Sequence, residues 1–144
     1  MNISRIVGKP YGRLALAMFL AAAAATVTVA HDAKEDTIHV VQQHRLPDVP
    51  GKSATMITVS YLPGEASKAH VHPGSVFAYV LEGAITSQLE GGKPVTYKAG
   101  EGWYEPPRAP HLVSRNASDK APAKLLAILL GDDGAALKEP YPSK

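Results

Sequence analysis

The residues best suited to chemistry in this 144-residue chain are histidines, and three of its six stand in a pattern. His70 and His72 flank a single valine at the start of the stretch HVHPGSVFAYVLEG, which runs through apolar residues to a glycine at Gly83. In an extended strand, residues two apart point to the same face with Cα atoms roughly 6.5–7 Å apart. Both rings can therefore reach one ion through nitrogen–metal bonds of about 2.0–2.1 Å. A third nitrogen has to come from another strand, and His111 opens one directly after a proline-rich turn at 106–110. Three neutral imidazoles suit zinc, copper, iron or nickel rather than magnesium or calcium. Any one of these histidines alone reads more simply as a surface or hydrogen-bonded core residue. The spacing of the set is what points to a metal.

The elements that must position these rings are short strands. Strand-like runs at 38–43, 55–62, 76–81, 84–89, 95–98, 103–105, 111–115 and 124–130 alternate with Pro/Gly breaks, and no stretch after residue 30 carries a helical period. That alternation is the signature of an all-β sandwich or barrel. Ile57, Val59 and Tyr61 fall on one face and Thr58 and Ser60 on the other, as in a half-buried antiparallel strand. The run LLAILL at 125–130 is apolar on both faces, which predicts a strand covered on both sides, although periodicity alone leaves a short helix open. The tail from 132 to 144 is weakly determined.

The beginning of the chain reads differently. Arg5, Lys9 and Arg13 precede an apolar, alanine-rich run over 14–25 that continues to Ala30, and no acidic residue occurs before Asp32. A basic segment, an apolar segment and small residues before a polar break make a Sec-type secretory signal peptide over 1–30, cleaved near Ala30. The alternative, an anchor that stays uncleaved, is disfavoured by the shortness of the run. The protein is therefore expected in the periplasm or secreted, without a stable membrane anchor once the leader is removed. His31 would then come close to the new terminus, where chance placement is a simpler reading than copper chelation. Three of the 15 basic residues and none of the 13 acidic ones fall in the leader, so 31–144 is near neutral and slightly acidic. No basic stripe remains to argue for nucleic acid. Zero cysteines exclude disulfides and thiolate metal sites.

With the histidines in place, the chain resembles a small single-domain cupin of the RmlC-like type. The family's first motif is glycine, five residues, His-x-His, three or four residues, glutamate, six residues, glycine. Here it reads Gly64, five residues, His70-Val71-His72, three residues, Val76, six residues, Gly83. The second motif is glycine, five residues, Pro-x-Gly, two residues, histidine, three residues, asparagine. Here it reads Gly100, five residues, Pro106-Pro107-Arg108, two residues, His111, four residues, Asn116. The resemblance implies one domain over 31–144, a double-stranded β-helix or jelly-roll barrel, with the metal in its mouth and with pairing of two copies through barrel edges. Three positions depart from the pattern. Val76 stands where the family supplies a glutamate ligand, Arg108 replaces the turn glycine, and Asn116 comes one residue late.

Three histidines without the carboxylate leave a net charge near +2 around a divalent ion and open a coordination position. Such a site favours an anionic or chelating small molecule. Three-histidine cupins imply a dioxygenase. The alternatives are a cupin that binds a metal or small molecule without turnover and a metal-dependent lyase or isomerase. The metal is one divalent transition ion among iron, manganese, zinc, copper and nickel. Glu105, just before Pro106, is the candidate catalytic group, as base or as a substitute ligand, against the simpler reading of a solvent-facing rim residue. Tyr79, Trp103, Tyr104 and Phe77 line the pocket or fill the core, and alternation does not choose between these.

Overall fold

The computed structural model describes residues 36–141. The expected leader at 1–30, its cleavage point and His31 lie outside the described residues. Eleven strands make up the fold: β1 (Thr37–Arg45), β2 (Lys52–Tyr61), β3 (Ala66–Ser67), β4 (His70–Val71), β5 (Ser75–Glu82), β6 (Ala84–Leu89), β7 (Val95–Lys98), β8 (Gly102–Glu105), β9 (His111–Asn116), β10 (Ala123–Asp132) and β11 (Glu139–Pro140). No helix occurs among the described residues. The eight expected runs all form strands. The three short ones, β3, β4 and β11, are too brief to show any period in sequence.

All pairings are antiparallel and fall into two sheets. One runs β1-β2-β10-β5-β8 and the other β11-β4-β9-β6-β7, with β3 beside β9. Most connections thus cross between the sheets, the exceptions being β1 to β2, β3 to β4 and β6 to β7, in keeping with a jelly roll. Period-2 alternation aims one face of each long strand inward. Ile57, Val59 and Tyr61 of β2, Val76, Ala78 and Val80 of β5, and Leu125, Ala127 and Leu129 of β10 are buried, with Ile85 from the facing sheet fully enclosed.

The reading of 125–130 as covered on both sides is only half met. Leu126, Ile128 and Leu130 face outward and stay partly exposed. They share the outer surface with Phe77, Tyr79 and Tyr104, which are exposed rather than core or pocket residues. β10 is apolar throughout because it is central in its sheet, between β2 and β5, where aliphatic side chains suit the pleat on either face.

Two of the three departures from the cupin motifs, Asn116 and Arg108, find separate explanations in the backbone. Asn116 is fully buried; its amide donates to the carbonyls of Leu62 and Ala121 and its side-chain oxygen accepts from Ser118 N. Its place one residue late is accommodated because it bridges three segments at the end of β9. Gly83, at the close of the first motif, has φ 70°, and a Cβ there would meet Pro122 O at 2.8 Å, so only glycine fits. Arg108 stands where the family has a turn glycine and adopts φ 60°, the one described non-glycine residue at positive φ. Its backbone N–H donates to His72 O at 2.7 Å, so the strained turn is tied to the histidine strand.

A left-handed conformation costs a side-chain-bearing residue about 1–2 kcal/mol, and the exposed Arg108–Glu139 ion pair returns little of it. Arg108→Gly is therefore expected to stabilise the domain by about 1 kcal/mol, read as a higher denaturant midpoint. A lower midpoint would show that the turn is not strained.

Candidate metal centre

β4 and β9 are neighbours, and their single register pair is His70 with His111. His72 follows β4 immediately, so three imidazoles from two strands meet at one end of the barrel. Each offers a ring nitrogen, and these nitrogens all lie within 4.8 Å of one another. His70 and His111 are buried, and His72 is nearly so. The sequence expectation that these three residues converge holds in the geometry.

The outward nitrogens fix the rings. His70 Nδ1 is 2.7 Å from Lys68 O and His72 Nδ1 is 2.6 Å from Leu137 O. A carbonyl oxygen only accepts, so both Nδ1 atoms carry the proton. Each Nε2 of the neutral ring is then a bare lone pair, and the two Nε2 atoms stand 3.1 Å apart. Two lone pairs at that distance repel unless a positive centre lies between or beside them. Burial lowers the His70 pKa to about 4, against the raising effect of the Lys68 carbonyl, so a proton does not supply that centre near neutral pH. Burial likewise lowers His72. His111 is held by Ser87 Oγ at 2.8 Å from Nε2. In the tautomer whose Nε2–H donates to Ser87, Nδ1 faces the cluster as an acceptor. Outer hydrogen bonds of this kind orient metal-binding imidazoles.

Glu105, at the end of β8, is no rim residue. It is 3% exposed, with Oε2 3.2 Å from His111 Nδ1 and 3.7 Å from His72 Nε2. Trp103 Nε1–H donates to Oε1 at 2.8 Å. Burial works to raise its pKa, but the nearby rings of His111 and His72 and the Trp103 N–H lower it on balance and favour the carboxylate form. Glu105 Oε2 and His111 Nδ1 are close but poorly aligned, and neither has a hydrogen-bond partner. Buried polar atoms are rarely left so. The donor set and its orphaned atoms thus fit a divalent transition ion.

The cluster opens on a small, half-open cavity of about 50 Å³, whose apolar wall is formed by Ile57, Val59, Val76, Ala78, Leu125 and Ala127. The Tyr61 hydroxyl, in contact with Ser67 and Ser114 at 2.8 Å each, also faces it. Burial raises the Tyr61 pKa to about 12, so it stays a neutral donor. Asp36 and Lys138, 3.8 Å apart, also line the space. Of the aromatic candidates only Trp103 lines this cavity. The charge argument built on Val76 changes as well, because a carboxylate is present from a different strand. Sequence reasoning missed Ser87, Leu137, Tyr61 and Lys138, since no local pattern marks a hydroxyl or a carbonyl that meets an imidazole across the fold.

A family model described as a cupin domain matches residues 57–129. No curated protein sequence matches the chain. Among solved structures, a protein with a double-stranded β-helix domain from Klebsiella pneumoniae is similar at 19% identity and TM-score 0.60, over 76% of this chain and 87% of that one. A DMSP lyase from Ruegeria pomeroyi aligns at 21% identity and TM-score 0.63, over 80% of this chain and 56% of its own. An oxalate oxidase aligns at 20% identity and TM-score 0.51, over 58% of this chain and 44% of its own. At these identities the likeness speaks to the fold.

Between about pH 6.5 and 4 the unfolded chain protonates His70 while the folded, metal-free protein keeps it neutral. The unfolded state then binds more protons, so stability falls as acid is added, by up to about 3 kcal/mol from this group. Denaturant unfolding in the presence of a chelator is expected to show that decline. A flat profile across this window would contradict a buried, neutral His70.

Proposed function

The chain belongs to the cupin family, and from that premise we propose that it is an exported metalloenzyme holding one divalent transition ion on His70, His72 and His111 and acting as a dioxygenase on a small anionic or chelating substrate. The observation that carries this reading is the pair of Nε2 atoms 3.1 Å apart, both left as acceptors by their backbone partners. A bound ion would supply Lewis-acid polarisation and, if redox-active, electrons for dioxygen chemistry. The protein's own part is to keep the imidazoles oriented, to exclude water with aliphatic walls and to offer the Tyr61 hydroxyl as a neutral donor. The small, half-open cavity beside the imidazoles supports a small molecule rather than a polymer as substrate. Residues 1–30 support a place of work outside the cytoplasm.

A second reading is favoured by one observation. The ionised Glu105 carboxylate within the cavity is placed to take a proton from a polarised substrate, the chemistry of a lyase. The DMSP lyase among the similar structures carries that activity on the same fold. Turnover without oxygen would favour this reading over the dioxygenase.

Elemental analysis of protein purified from its own envelope fraction is expected to give about one ion per chain, falling near background in His72→Ala and His111→Ala. Oxygen uptake with a panel of diketones, catechols and thiols then tests the reaction class. An unchanged metal ratio in both variants would overturn the ligand assignment. A redox-inert ion without oxygen uptake would overturn the dioxygenase.

A further inference from the structure

Val76 removes the carboxylate from the place where the first cupin motif supplies it, yet a carboxylate oxygen still sits beside two of the three imidazoles, His111 and His72. The register of β5 and β8 explains how. Val76 and Glu105 are direct cross-strand partners, and both point inward, at 2% and 3% exposure. Opposed residues of an antiparallel pair have Cβ atoms about 4.5–5.5 Å apart. A glutamate at 105 therefore reaches the volume that a glutamate at 76 would fill, approaching from the neighbouring strand.

We propose that Glu105 is the fourth protein ligand of the metal, a carboxylate transferred from β5 to β8, which makes the centre a three-nitrogen, one-oxygen site. The proposal rests on the three-histidine reading above and deepens it. Three further facts support it. The two oxygens of Glu105 are treated differently: Oε1 is held by the Trp103 indole N–H, whereas Oε2 is buried without a partner. Oε2 lies 3.2 Å and 3.7 Å from ring nitrogens of His111 and His72, the distances expected between ligands that share an ion rather than bond to each other. His111 Nδ1, the other orphaned atom of the cluster, faces the same oxygen. A buried carboxylate oxygen left without a cation to meet it is destabilising. With Glu105 bound, the centre carries about +1 instead of +2. That weakens its pull on a dianion and suits a substrate that reaches the metal as a monoanion. Trp103, the only tryptophan in the chain, stacks on Tyr97 at 4.8 Å and meets the edge of His111 at 6.5 Å, so its emission should report occupancy.

The test uses Co(II) as probe, followed by its visible absorption, by Trp103 fluorescence and by competition with a chelator. Wild type, Glu105→Gln, Glu105→Val and the double variant Glu105→Val with Val76→Glu are compared, each checked for fold by circular dichroism. Loss of an outer hydrogen-bond partner typically weakens metal binding 10–100-fold, so loss of a direct ligand is expected to weaken it by about 100-fold or more in both single variants, with an altered Co(II) spectrum. The double variant is expected to recover most of the affinity, because the carboxylate returns from the opposite strand. If both single variants keep wild-type affinity and spectrum, Glu105 is no ligand, while the three-histidine site stands. If wild type itself takes up no Co(II), both readings fall.

Discussion

Everything at this centre follows from two imidazoles whose lone pairs are made to face each other in a buried space. A backbone carbonyl behind His70 and another behind His72 dictate where each ring keeps its proton. The remaining nitrogens stand 3.1 Å apart with little water to separate them. Such an arrangement is unfavourable in isolation and becomes favourable only around a cation. The orphaned Glu105 oxygen and His111 nitrogen extend the same imbalance to four atoms.

The barrel holds these atoms in place from several directions. β4 is only two residues long, yet it is flanked by β9 on one side and by β11 on the other, so His70 is fixed between two neighbours. The C-terminal segment contributes more than an edge: Leu137 O orients His72, and Tyr141 N–H donates to Ala69 O just before the histidines. The turn at Arg108 hydrogen-bonds to the backbone of His72. The geometry of the imidazole cluster is thereby coupled to elements that are distant in sequence. The aliphatic walls keep the local dielectric low, which strengthens every charge interaction at the ligands.

Much of this was legible in the sequence because the main signals are local. The eight longer strands announce themselves through alternation and Pro/Gly breaks, and the His-x-His pair with His111 after a proline turn gives the three imidazoles that converge. What remained hidden is non-local. β4 and β11 gain their strand character from partners, not from their own two residues. Glu105 has no signal that separates a cavity carboxylate from a rim one, because its meaning depends on the β5–β8 register that sets it opposite Val76. Ser87 meets His111 only because β6 lies beside β9. The outward exposure of Phe77, Tyr79 and Tyr104 was likewise undecidable from hydrophobicity, since their inward neighbours Val76, Ala78 and Trp103 are equally apolar.

X-ray absorption at the metal edge of the loaded, full-length protein tests the central claim most directly. The account expects one ion whose nearest shell contains three imidazole nitrogens at about 2.0–2.1 Å, with the multiple-scattering features of histidine rings. A shell made only of oxygen atoms, with no imidazole scattering, would contradict it.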